Sequence, residues 1–188
     1  MRTILNRAVQ ILFHPQDEWQ VIKDEPAAYS KLLLEYVAPL AAIPPLAVIA
    51  GSFFFGKNLP NNTLAHLLIT NLLWYCMYVL NVMVVGAVVA AIVTAVDAPW
   101  TGLQGFTVAA YSFTPLFIAG GIAVIPKMGW TIYAAILYSI FLIYLGIRAS
   151  AGTSKKRSAG YAATSFLAAA VVVGMMNLGE YFLESFMI

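Results

Sequence analysis

Glu35 is the residue of this chain whose type and position most directly suggest chemistry. It comes immediately before residues 36–56, a stretch that contains no Asp, Glu, Lys or Arg. An ionisable group at membrane depth is costly, which makes it a candidate functional residue. Two interpretations stay open. Glu35 reaches the membrane interface and pairs with Lys31 one helical turn earlier, or it points inward toward a partner from another membrane segment.

A second candidate is the run Tyr111–Pro115, with the sequence YSFTP, in the middle of another charge-free stretch. Pro115 has no backbone N–H, so the carbonyl of Tyr111 loses its usual helical partner. The hydroxyls of Ser112 and Thr114 can supply replacement hydrogen bonds to the backbone. We therefore expect a kinked helix whose freed backbone groups are satisfied locally.

Pro39, Pro44 and Pro45 predict a second kink, in the first long apolar stretch. Two kinked helices can enclose a polar cavity, as they do in transporters. They can equally be static bends in a small helical bundle. The sequence leaves both interpretations open.

Asp97 is the only acidic residue between Glu35 and Glu180, and it precedes Ala98-Pro99-Trp100. An Asp before Pro is typical of turns. Asp97 could also pair with an arginine of the N-terminal segment or with Arg148, or take part in binding.

No set of residues in the sequence points to catalysis or to a metal. His14 and His66 are isolated, and Cys76 is the only cysteine. No phosphate-binding loop, nucleophile elbow or zinc-binding His pair is present. An enzyme would need Glu35 or Asp97 within hydrogen-bond reach of Ser112 or a tyrosine. We expect no enzyme activity, no catalytic residue, no cofactor and no metal.

These residues are positioned by membrane helices. The chain is 62% hydrophobic and 10% charged, whereas a soluble domain is about 25% charged. We predict an all-α, polytopic membrane protein with residues 1–30 as an amphipathic N-terminal segment and 31–188 as the membrane domain. About 20 apolar residues cross a bilayer as a helix. The five spans are predicted at about 32–55, 64–94, 103–125, 130–149 and 160–180.

The N-terminal segment reads as two short helices. Over residues 3–13 the apolar side chains recur at helical spacing, with Arg7 and Gln10 on the opposite side. This pattern predicts a helix in the membrane interface. Pro15 opens the second helix and Pro26 ends it. In the second span, Gly86, Ala90 and Thr94 have the four-residue spacing that allows close helix packing.

The basic residues predict the orientation. With five spans, eight Lys and Arg lie on the side of the N-terminus, and only Lys57 and Lys127 lie on the other. The positive-inside rule then places the N-terminus in the cytoplasm and the C-terminus outside. The expected location is the inner membrane of a bacterium. A net charge of +2 is too small to indicate a nucleic-acid partner.

Several short motifs resemble the bacterial branch of the Yip family, the Ypt/Rab-interacting membrane proteins. The likeness rests on the five-span layout and on three motifs: Phe13-His14-Pro15 followed by Trp19, Tyr36-x-x-Pro39-Leu40, and Tyr111-Ser112-x-x-Pro115. Eukaryotic members carry Asp-Leu-Tyr-Gly-Pro where this chain has residues 35–39, EYVAP. The resemblance therefore implies the membrane fold, but not the eukaryotic role in vesicle traffic.

Two functions follow from these observations. The first is a Yip-like membrane protein without catalytic activity, which acts through membrane lipids, a membrane-protein partner or a second copy of itself. The alternative is a small solute or ion transporter or channel that uses the kinked spans one and three, with Asn71 and Asn81 nearby and a polar cavity at the bilayer midplane. The candidate residues are Glu35, Tyr36, Pro39, Asp97, Tyr111, Ser112 and Pro115.

Overall fold

The computed structural model describes residues 4–55, 64–96, 100–151, 157, 160–167, 170 and 174. Within these ranges every regular element is helical, which confirms the all-α prediction. Four helical segments are long and apolar enough to cross a membrane. They are span one, Tyr29–Phe55; span two, Leu64–Ala95; span three, Gly102–Ile122; and span four, Thr131–Ser150.

The predicted limits of these four spans are close to the observed ones. The largest differences are a start at 29 rather than 32 and an end at 122 rather than 125. The predicted fifth span, 160–180, is described only in part. Its residues 160–167 are helical, and Tyr161, Ala162 and Ser165 are buried.

Span one is irregular at the two places where prolines occur. A π-helical turn covers Leu33–Val37, and the N–H of Ala38 bonds to the carbonyl of Leu33, five residues earlier. In a regular helix the Pro39 ring would collide with the carbonyl of Glu35. The wider turn relieves this collision, as π-turns in helices commonly do at sites of local strain.

The second break of span one separates Ala38–Ala41 from Ile43–Phe55. Pro44 and Pro45 lie in the first turn of Ile43–Phe55, where a missing N–H costs nothing because that turn has unbonded N–H groups in any case. The predicted kinking of span one is thus confirmed.

Span three is also interrupted as predicted. Its helices Gly102–Ser112 and Thr114–Ile122 meet at Phe113. The Thr114 hydroxyl donates to the carbonyl of Tyr111 at 2.8 Å, which satisfies the group that Pro115 leaves without a partner. The prediction for Ser112 was wrong, because its buried hydroxyl has no hydrogen-bond partner in the described part of the chain.

Spans two and three pack through small residues. A Cβ added at Gly86 would stand 2.6 Å from the Cα of Phe106, and one added at Gly105 would stand 2.7 Å from the Cβ of Ala90. These backbones are therefore in direct contact, as the spacing of Gly86 and Ala90 predicts. Thr94 differs from the prediction, since its hydroxyl accepts from the N–H of Trp100 at 2.9 Å.

The two kinked spans also meet closely. A Cβ at Gly120 of span three would stand 2.8 Å from Pro44 of span one, and a Cβ at Gly121 would stand 2.7 Å from Ile43. The glycines leave room for the proline-containing turn. The kink of span one is therefore packed against span three.

The N-terminal helices are α1, Ile4–Phe13, and α2, Pro15–Asp24. The prediction for α1 needs correction. Its side with Arg7 faces the protein and is buried, together with Ala8 and Ile11. Its outer side is apolar and exposed, at Leu5 (76%), Val9 (47%) and Phe13 (73%).

We expect Gly105→Ala to destabilise the membrane domain, because the added methyl collides with span two. Overpacking of this kind typically costs about 1–3 kcal/mol, more than the gain in helix propensity from replacing glycine, at most about 1 kcal/mol. Thermal unfolding in detergent should show a lower midpoint. Gly129→Ala is the control, since a Cβ there has no atom within 4 Å. Equal midpoints for the two variants would contradict the close contact.

Candidate functional site

The candidate site is built around the guanidinium of Arg7. Its Nη1 donates to Oε1 of Glu18, and its Nη2 donates to both carboxylate oxygens of Glu25, at 2.6 Å for Oε1. Arg7 and Glu18 are buried, while the side chain of Glu25 is 45% exposed. Helices α1 and α2 are joined only by His14, so this short hairpin brings the three charges together.

The charge of Arg7 is maintained despite its burial. Desolvation by burial lowers the pKa of Arg7, but the hydrogen bond with Glu25 and the nearby carboxylate charges of Glu18 and Glu25 raise this pKa by more, so that the net shift is upward. The stabilisation that accompanies a raised pKa is present below the ordinary pKa of arginine and is lost only when the pH rises above the folded-state pKa. The guanidinium therefore stays charged throughout the physiological range.

Tyr111 connects this ion cluster to the membrane spans. The Arg7 guanidinium carbon lies 5.8 Å from the centroid of the Tyr111 ring, within the range of a cation–π contact. Trp19 of α2 packs edge-on against the same ring, with centroids 6.1 Å apart. Tyr36 of span one lies 4.6 Å from Tyr111, centroid to centroid.

A hydrogen bond continues this contact into span three. The hydroxyls of Tyr36 and Thr114 are 2.8 Å apart. Because the Thr114 hydroxyl proton is used toward the Tyr111 carbonyl, Tyr36 is the donor to Thr114. Tyr36, Thr114 and Tyr111 thus join the irregular turns of spans one and three.

The N-terminal hairpin is anchored on span four as well. Trp19 is 1% exposed, and its ring would lie 2.8 Å from a Cβ at Gly146. The Tyr138 hydroxyl donates to the carbonyl of Leu12 at 2.6 Å. Helices α1 and α2 are therefore packed parts of the membrane domain.

A cavity of about 700 Å³ opens between the hairpin and the starts of spans one and three. Its charged lining consists of Arg7 and Glu25 from the hairpin and Lys31 and Glu35 from span one. Tyr36, Thr107, Tyr111 and several aliphatic side chains form the rest of the wall. This is a space in which charged and apolar surfaces meet.

The structure brings only some of the predicted residues to this cavity. Glu35, Tyr36 and Tyr111 line it, whereas Pro39 is exposed outside the lining and Ser112 and Pro115 are buried in span three. Asp97 lies outside the described residues.

Neither of the alternative partners considered for Glu35 is found among the described residues. Glu35 makes no ion pair there, and it does not pair with Lys31. The carboxylate also makes no hydrogen bond to Ser112 or Tyr36, because the Ser112 hydroxyl has no partner there and Tyr36 bonds to Thr114. The pairing that an intramembrane enzyme would require is therefore not assembled in this part of the chain.

Sequence reasoning missed the ion cluster of Arg7, Glu18 and Glu25. A usable signal was present, because α1 and α2 are separated by one residue and a hairpin that short places Arg7 opposite the start of α2. The acidic residues at the start of α2 suit the positive end of the helix dipole. Because the dipole alone explains their position, the sequence did not indicate that Glu18 also binds Arg7.

We expect Arg7→Met to loosen the N-terminal hairpin, since it removes the cation that binds both Glu18 and Glu25. Breaking a buried ion pair costs about 3–5 kcal/mol, and about 3 kcal/mol of local opening is roughly a hundredfold in exchange rate. Hydrogen exchange of residues 4–24 should accelerate accordingly. Lys23→Met, at an exposed position of α2, is the control. Unchanged exchange in Arg7→Met would show that the cluster does not hold the hairpin.

A double-mutant cycle tests the link between the two kinks. Tyr36→Phe removes a buried hydrogen-bond donor, and Thr114→Val removes its acceptor. Each is expected to lower the free energy of unfolding by about 1 kcal/mol. The double variant should lose less than the sum, since the two changes share one hydrogen bond. Strict additivity in denaturant unfolding would mean that the two hydroxyls are not coupled.

Comparison with known proteins agrees with this architecture. The chain is 28% identical over 174 residues to the "Inner membrane protein YohC" of Escherichia coli K12, and the match covers 85% of this chain and 86% of that protein. The protein of the same name from Escherichia coli O6:H1 matches equally well. No solved structure matches the chain.

The sequence model of the Yip1 domain matches residues 9–176. This range begins within α1, two residues after Arg7, and contains the rest of the hairpin, spans one to four and the described start of the predicted fifth span. It thus includes most of the candidate site but not Arg7 itself. The chain belongs to the Yip1 family of membrane proteins.

Proposed function

We propose that this chain is an integral membrane protein without catalytic activity, which acts through contacts with membrane lipids or with a membrane-protein partner. The observation that carries the proposal is the open cavity beside Glu35, where Lys31 and Glu35 remain unpaired among the described residues. Unpaired opposite charges on an accessible wall are suited to an external partner. The same features supply no nucleophile with an adjacent base.

The proposal includes a location in the bacterial inner membrane, with the N-terminus in the cytoplasm. The name of the Escherichia coli relatives supports the location. The distribution of basic residues, eight on one side and two on the other, supports the orientation. We therefore expect a reporter that functions only outside the cytoplasm to be active when fused after the last residue, and a reporter that functions only inside the cytoplasm to be inactive there.

A small transporter is the second candidate, and the depth of the cavity favours it. The cavity reaches Tyr111, the tenth residue of the 21-residue span three. Transporters, however, rely on broken helices that move relative to one another. Here the broken turns of spans one and three are packed together, with Pro44 against Gly120 and Tyr36 bonded to Thr114.

A photocrosslinking amino acid at Glu35 or Pro39 tests the proposed function. Both positions are exposed, Glu35 in the cavity lining and Pro39 four residues further along span one, so we expect discrete lipid or protein adducts in membranes. Adducts between two copies would identify a homo-oligomer. The control position is Tyr133 on span four, which is 73% exposed and is not part of the cavity lining. We expect it to give only diffuse labelling.

Liposomes that contain the pure protein distinguish the two candidates. We expect no protein-dependent uptake of a solute or ion. Uptake that is abolished when Tyr111→Trp narrows the cavity would contradict the proposed function and support the transporter.

A further inference from the structure

We propose that the cavity between the N-terminal hairpin and spans one and three binds the headgroup of a phospholipid that carries both a phosphate and a primary ammonium, as phosphatidylethanolamine does. Lys31 would receive the phosphate and Glu35 the ammonium. The inference rests on the proposed function and specifies the ligand for it.

The relation of Lys31 to Glu35 leaves both charges available to a ligand. In a regular helix a basic and an acidic residue four positions apart are neighbours and commonly pair. Here Glu35 lies within the π-turn Leu33–Val37, and this wider turn changes the helical geometry that would bring the two side chains together. Both side chains line the cavity but do not pair with each other. The turn that accommodates Pro39 thus leaves one cation and one anion available to a ligand.

The charges around the cavity favour a headgroup that carries both signs. Arg7 is already bonded to both Glu18 and Glu25 and is therefore not an unpaired cation. Among the described residues that line the cavity, Lys31 is the cation that is left for a ligand. A purely anionic headgroup would gain Lys31 but would face Glu25 and Glu35. A zwitterionic headgroup can pair its phosphate with Lys31 and its ammonium with the carboxylates of Glu25 and Glu35.

The position of the cavity relative to the bilayer also favours a lipid headgroup. Glu35 is the last charged residue before the charge-free residues 36–56, so the cavity lies where span one enters the apolar region. Tyr29 stacks on Phe106 with centroids 5.5 Å apart, which places the starts of spans one and three side by side at the same level. Lipid headgroups occupy this level of a membrane.

Exposed apolar side chains adjoin the charged lining in the sequence. Leu5 of α1 is 76% exposed and Leu34 of span one is 69% exposed, and they are next in sequence to the cavity-lining residues Ile4 and Glu35, respectively. Acyl chains that extend from a headgroup in the cavity would find these side chains. The cavity volume of about 700 Å³ falls within the range of small-molecule sites, about 300–1,000 Å³.

Lipid binding to the purified full-length chain tests the proposal. The probes are mixed micelles that contain phosphatidylethanolamine, phosphatidylcholine or phosphatidylglycerol, with bound lipid counted by native mass spectrometry. We expect phosphatidylethanolamine to bind about tenfold more tightly than either of the others. Choline lacks N–H donors for Glu35, and glycerol lacks the positive charge. A tenfold difference corresponds to about 1.4 kcal/mol, the scale of one charge-assisted hydrogen bond.

Lys31→Gln and Glu35→Gln should each weaken phosphatidylethanolamine binding about tenfold, and Glu35→Gln should reduce its preference over phosphatidylglycerol. Both positions are exposed, so the variants are expected to fold, which thermal unfolding checks. The matched controls are Lys127→Gln and Asp24→Asn, which lie outside the cavity lining and should retain wild-type binding.

Three results would overturn the proposal: equal affinity for the three lipids, equal loss in the control variants, or displacement of the lipid by soluble phosphoethanolamine at equal concentration. The last would identify a soluble ligand with the same chemistry. Each of these outcomes is independent of the crosslinking and uptake experiments. Failure of the lipid site therefore remains distinguishable from failure of the proposed function.

Discussion

The buried guanidinium of Arg7 is the interaction on which the rest of the site depends. A charge removed from water is costly unless it is paired and hydrogen-bonded, and Arg7 meets this requirement with Glu18 and Glu25. The hairpin of α1 and α2 must therefore keep one geometry, because a different register would leave a charge buried without a partner. That geometry places Trp19 and Arg7 on Tyr111 and forms one wall of the cavity.

The prolines and glycines of spans one and three complement one another. Proline removes a backbone donor and bends the helix, and the bend needs space on the neighbouring helix. Gly120 and Gly121 provide this space at Pro44 and Ile43, while Thr114 satisfies the carbonyl that Pro115 leaves free. The same proline chemistry produces the π-turn before Pro39 and thereby the separation of Lys31 from Glu35. Irregular backbone and cavity chemistry thus have one origin.

The spans were predictable from the sequence because hydrophobic length and the absence of charge decide them locally. The close packing at Gly86 and Ala90 was predictable for a similar reason, since residue spacing fixes the helix face. The direction of Arg7 was not predictable in this way. Helix α1 has apolar residues on two sides, so periodicity alone does not show which side meets the protein. Only the tertiary partners Glu18 and Glu25 decide that the polar side is buried.

The pairing of Glu35 with Lys31, one of the two interpretations that the sequence leaves open, is not formed for a related reason. It requires regular helical geometry over residues 31–35, and the π-turn Leu33–Val37 before Pro39 replaces that geometry. The cavity lies between the hairpin and spans one and three, and Arg7 forms part of its wall. This buried cation needs its carboxylates, and these in turn need the hairpin in place. The wall is fixed on the side of Arg7, whereas Lys31 and Glu35 on the other side are unpaired among the described residues. An arrangement of this kind favours holding a ligand at the membrane surface over passing it across the membrane. Passage would require the wall held by Arg7 to open, and this would leave Arg7 and Glu18 as separated charges in a buried position.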